Sequence, residues 1–135
     1  MPWLYLGLAA QFSEGLQRQP HIVLAGSPER FVVEVAAAGG FEAVRVGLAI
    51  DSVFVLAFLA VTATIVSLAS GRWWLPVIPA SLDLIENGLI AFLLGNDVTE
   101  HMAVLLYLVA LSKFVAYPIV ACVVLVSVFG RHSRV

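Results

Sequence analysis

Five side chains able to ionise or to hydrogen-bond strongly lie inside otherwise apolar stretches of this chain: Asp51, the cluster Asp83, Glu86 and Asn87, and Lys113. In a lipid-spanning helix such groups are costly, so they are expected to face one another, a water-filled cavity or a partner. Asp83, Glu86 and Asn87 stand at i, i+3 and i+4, which places them on one face of a helix. Three carboxylates against one ammonium leave a formal excess of negative charge among these residues. That excess suggests one chemistry, in which Asp83 and Glu86 exchange a proton with water or with a substrate as an acid/base pair. A second reading is a polar network that also takes in Ser112 or Tyr117 and fixes helix register. A third is an interface at which some of these groups meet another subunit.

Their depths make an interhelical contact feasible. Counting from the turn between Gly95 and Met102 at ~1.5 Å per residue, Glu86 lies roughly 13 Å deep, Lys113 roughly 16 Å and Asp83 roughly 18 Å. The lysine is thus level with the gap between the two acids. Asp51 opens its own apolar stretch and is expected to be shallower, bordering water or the segment from Ser27 to Gly39.

The remaining chemistry-bearing residues form no further constellation. His21, His101 and His132 fall near element ends or in loops, which disfavours haem ligation, and no His/Cys/Asp/Glu spacing signals a metal. Cys122 is the single cysteine, so neither an intramolecular disulfide nor a cysteine-based metal site is available. No serine stands in a G-x-S-x-G arrangement, and serines inside apolar helices usually bond to their own backbone. No catalytic residue, metal or cofactor is therefore expected.

The elements that must position the five residues follow from composition. Of 135 residues, 61% are hydrophobic and 12% charged, and the mean hydropathy is +1.02, values that belong to membrane proteins and leave room for one helical domain spanning residues 1–135. The net charge of −2 and the seven scattered Lys and Arg residues argue against a nucleic-acid partner. One span is expected from Gly47 to about Ala69, a second from Leu75 to Gly95 with Pro76 and Pro79 in its first turns, and a third from Met102 to Phe129, bent at Pro118. Residues 2–18 are apolar at first and would cover roughly 25 Å as a helix, so a fourth crossing is expected there rather than an interfacial segment or a cleaved leader.

Between the first crossing and the next, Ser27-Pro28-Glu29 reads as a helix start and Gly39-Gly40 as a stop. Phe31, Val32 and Val35 are expected on one face of that short helix, lying along the membrane surface or capping the bundle. Arg72, Arg131 and Arg134 fall at one end of the spans without nearby acids, which favours a cytoplasmic C-terminus. Trp73 and Trp74 mark that boundary, and Trp3 and Tyr5 would join them if residues 2–18 cross.

Pro2 to Gly7 with Glu14 resembles the opening helix of the small multidrug transporters, but the charged residues of the later spans depart from that family's apolar pattern, and the likeness ends with the first helix. A broader likeness rests on Leu24-Ala25-Gly26-Ser27, on Asp51 opening the next span, and on the D-x-x-E-N run from Asp83 to Asn87. These features resemble a loose group of uncharacterised small bacterial four-helix membrane proteins. The resemblance implies the architecture and carries no activity; the expected location is a bacterial inner membrane.

Together these readings predict an all-α, polytopic transmembrane bundle of four spans plus a short interfacial helix, with membrane lipids and a protein partner or a second copy as its neighbours. The expected role is that of a non-catalytic accessory or assembly subunit of a larger membrane complex, held by intramembrane polar contacts. The alternative is a proton-linked small-molecule transporter or an intramembrane lipid-modifying enzyme using Asp83 and Glu86.

Overall fold

Three runs of apolar side chains, each broken by few charges, become the three long helices of the structure, a computed structural model that describes residues 19–132. The expected crossing at residues 2–18, with Glu14, lies outside the described residues. Within them the chain is all-helical. A helical segment at residues 19–23 is followed by α1 (Pro28–Ala37), α2 (Phe41–Ser70), α3 (Val77–Leu94) and α4 (Glu100–His132). Stretches Phe41–Leu68, Val77–Leu94 and Glu100–Val126 are each long and apolar enough to cross a membrane.

Local chemistry sets the boundaries. The Ser27 hydroxyl accepts from the Arg30 N–H at 3.4 Å, Pro28 occupies the first turn where its missing donor costs nothing, and Glu29 meets the positive end of the helix dipole. At the other end of α1, Gly39 and Gly40 take φ of +98° and +89°, a region closed to most side chains, and so turn the chain directly into α2. Helix α2 therefore begins at Phe41 rather than near Gly47. Its polar opening is tolerated because Glu42 and Arg45 pair at 3.3 Å at i, i+3 on the exposed surface. Gly71 closes α2 in the left-handed conformation, with φ of +71°.

The shortest span, α3, starts after Pro76 and holds Pro79 in its first turn, where the N–H would have no helical partner in any case. It packs against both α2 and α4 and is the most enclosed of the three, while the flanks of α2 and α4 expose Val53, Phe54, Leu68, Val115, Ile119 and Val126. Helix α4 runs unbroken through Pro118. The hydroxyls of Thr62, Thr64 and Ser112 each donate to a carbonyl four residues back, at 2.7–2.8 Å, so they demand nothing from neighbouring helices.

The apolar core gathers at one end of the bundle. Phe31 and Val35 of α1 and Ala38, which caps it, pack with Ile22 and Val23, with Val44 and Leu48 of α2, with Ile90 and Leu93 of α3, and with Leu106 of α4. Val32 does not share the buried face as the sequence suggested. It is 55% exposed, because a position one residue after Phe31 is turned about 100° around the helix, whereas Val35 and Ala38 return to Phe31's side.

Candidate functional site

Helix α3 carries the polar face. Asp83, Glu86 and Asn87 are 7%, 1% and 4% exposed, so all three lie inside the protein rather than against lipid. Their spacing delivers two of them to α4 and one to α2. Lys113 of α4 stands between the acids, with Nζ 2.8 Å from Asp83 Oδ1 and 2.7 Å from Glu86 Oε1. One helical turn further along α4, the Tyr117 hydroxyl donates to Asp83 Oδ2. Both oxygens of Asp83 thus have donors, and Lys113 also lies 5.5 Å from the centre of the Phe114 ring.

On the other flank, Asn87 turns to α2. Its Nδ2 donates to Asp51 Oδ2 at 2.8 Å and to Ser52 Oγ at 3.2 Å, and its Oδ1 accepts from Gln19 Nε2 at 3.0 Å. The amide is the group suited to this place, since one side chain must serve an acid on α2 and a donor on the segment at residues 19–23. Asp51 is half-buried and lies almost three turns into α2 at ~3.6 residues per turn, deeper along its helix than a span opening near Gly47 implied.

The five residues singled out from sequence are therefore joined by hydrogen bonds and ion pairs into two adjacent clusters that share α3. Of the two hydroxyls considered as further members, Tyr117 enters the network and Ser112 bonds to the Leu108 carbonyl instead. Gln19 and Ser52 were not anticipated. Neither carries a charge, and an uncharged polar residue near the end of an apolar run gives no signal of its own. Only Ser52's place beside Asp51 pointed to it.

Two openings come near this network. A groove of about 360 Å³ between α2 and α3 is lined by Ser52, Asn87, Gly88 and Ala91, and a smaller apolar cavity of about 170 Å³ is lined by Phe58, Pro79, Tyr117 and Val124. Neither is lined by Asp83, Glu86 or Lys113. Among the described residues, no group of three or more His, Cys, Asp or Glu side chains is placed to hold a metal ion. Chemically, the arrangement can bind helices together and can hold a proton.

Compared with known proteins, the chain matches no family model, no curated protein and no solved structure.

Proposed function

We propose that this chain is an integral membrane protein that acts without catalysis, as an accessory or assembly subunit of a larger membrane complex. The observation that carries this reading is the internal saturation of the polar groups: Lys113, Asp83 and Asn87 are each committed to side chains of the same chain. These contacts tie α3 to α4 and to α2 and fix helix register, and of the ion-paired oxygens only Glu86 Oε2 lacks a donor. What the protein offers outward is apolar surface on α2 and α4, including Phe54, Leu68, Phe114 and Val126. Within a membrane such a surface meets lipid or the helices of a partner.

The topology belonging to this proposal is four spans plus α1 as an interfacial helix. Ten residues cover only ~15 Å, too little to cross, and α1 is seated on the core at the end rich in Glu29, Glu42, Asp97 and Glu100. For the fourth span the support is Gln19, bonded to Asn87 within the depth of α3. From Asn87 to Trp74 is roughly 20 Å of helix, and residues 2–18 supply roughly 25 Å, enough to bring Trp3 and Tyr5 level with Trp73 and Trp74. Arg72 at that end supports a cytoplasmic C-terminus, in a bacterial inner membrane.

Native mass spectrometry of the protein, purified in nanodiscs from its native expression level, tests the function. Stoichiometric co-purification with a different membrane subunit is expected; a chain that runs alone or only with itself removes the accessory reading. For the topology, reporters fused at each terminus should lie on the same side of the membrane, and opposite sides would mean an odd number of crossings.

A further inference from the structure

Glu86 is the most deeply buried ionisable side chain of the network, at 1% exposure, and its two oxygens are treated differently. Oε1 accepts from Lys113 at 2.7 Å. Oε2 is buried and has no hydrogen-bond partner. Every other oxygen of the ion-paired acids has a donor, since Lys113 serves Asp83 Oδ1 and Tyr117 serves Asp83 Oδ2. A carboxylate on Glu86 would place charge on a buried oxygen with no donor from the protein, and would set two negative charges against a single ammonium. Burying an unpaired charge costs several times more than burying a neutral polar group that lacks a partner.

We propose that Glu86 is an intramembrane protonation site, occupied at neutral pH by a proton on Oε2. With that proton in place Asp83 is negative, Lys113 positive and Glu86 neutral, so the cluster carries no net charge and keeps every contact described above. The ionisable groups that face it are Asp83 on α3, Lys113 and Tyr117 on α4, and Asp51 on α2 through Asn87. Asp83 rather than Glu86 is the charged partner of the lysine, because Tyr117 supplies its second oxygen with a donor and nothing does so for Glu86. Loss of the proton leaves two carboxylates competing for Lys113, so a proton entering or leaving here changes which helix contact the lysine favours.

Infrared spectroscopy of the whole protein in nanodiscs, in D2O at neutral pD, reads the proton directly. The expected result is a carboxyl C=O band above the amide I region that shifts on ¹³C-glutamate labelling, disappears in Glu86→Gln, and survives in Glu34→Gln. Asp83→Asn gives a second readout. Removing the competing acid leaves Lys113 to Glu86 alone, and the band should be lost there too, as Glu86 ionises. Should Glu86→Gln not fold, Asp83→Asn carries the decision. A wild-type spectrum with no glutamate carboxyl band, or a band that persists in Glu86→Gln, overturns the proposal, and a band that persists in Asp83→Asn overturns the assignment of Asp83 as the acid that displaces Glu86 from ionic pairing; in the first case a trapped water on an ionised Glu86 is the occupant.

Discussion

Replacing Lys113 with Met tests whether the buried ion pair holds α3 to α4. The substitution keeps the apolar stem and removes only Nζ, which bridges Asp83 Oδ1 at 2.8 Å and Glu86 Oε1 at 2.7 Å. Tyr117 still donates to Asp83 Oδ2, so the acid keeps one of its two donors. Breaking a buried pair in a water-soluble core costs ~3–5 kcal/mol, because the surviving charge is stranded. In lipid the separated helices also find partners, and ordinary interhelical hydrogen bonds average only ~0.6 kcal/mol. Both considerations place Lys113→Met at about 2–3 kcal/mol, roughly a 30- to 150-fold fall in the folded-to-unfolded ratio.

The assay is reversible unfolding from lipid–detergent mixed micelles by SDS, followed by circular dichroism, with Ser112→Ala as the control. Ser112 neighbours Lys113 on α4, but its hydroxyl bonds to its own helix, so its removal should cost under ~0.5 kcal/mol. Adding Asp83→Asn to Lys113→Met should recover at least ~1 kcal/mol, because the stranded charge is gone. If Lys113→Met is no worse than Ser112→Ala, or if the second substitution adds its own full cost, the cluster does not bind the two helices and the saturation argument loses its energetic basis.

Asn87→Leu should cost ~1–2 kcal/mol in the same assay, since it takes the donor from half-buried Asp51 and the acceptor from Gln19; an unchanged midpoint would show that α2 does not depend on this bridge. Phe31→Ala empties the centre of the cluster beneath α1, where Phe31 is 1% exposed, and should lose ~3–4 kcal/mol together with increased proteolysis within α1; an intact, protease-resistant α1 would mean that it does not depend on this anchor. Gly40→Ala and Gly71→Ala separate two backbone demands. Gly40 sits at φ +89°, ψ −176°, a region almost reserved for glycine, and alanine there should cost ~1–3 kcal/mol; Gly71 at φ +71°, ψ 2° is left-handed and should cost ~1–2 kcal/mol. An unchanged midpoint for either substitution would refute the conformation assigned at that position.

Much of this site was legible because hydrocarbon is an unforgiving solvent. A D-x-x-E-N run inside an apolar helix has to face inward, and simple depth counting set Lys113 level with the space between Asp83 and Glu86, where the structure finds its Nζ. The ends of the helices were less legible for the converse reason. At the membrane boundary Glu42 and Arg45 are as comfortable in a helix as in a loop, so the true start of α2 is announced by Gly40's backbone and not by hydropathy. The same ambiguity set the start of the span carrying Asp51 too late and hid Ser52 and Gln19. Val32 was misjudged because three valines and a phenylalanine in so short a helix give more apolar positions than one face can bury.

The division of labour among the spans follows from these contacts. Helix α3 is too short to carry much surface beyond the membrane, with 18 residues against 30 in α2 and 33 in α4, and it holds both the polar face and the closest contacts. Two neighbours are gripped by different chemistry: α4 by charge through Lys113, and α2 by a neutral amide through Asn87. A change in the proton count at Glu86 therefore acts first on the grip on α4, because Glu86 is bonded to Lys113 and not to Asn87 or its partners. If the outer faces of α2 and α4 seat a partner, the seam between α3 and α4 is the one whose geometry a proton can alter. The partner-facing surface to examine first for sensitivity to Glu86→Gln is accordingly that of α4, around Phe114, Val115 and Ile119.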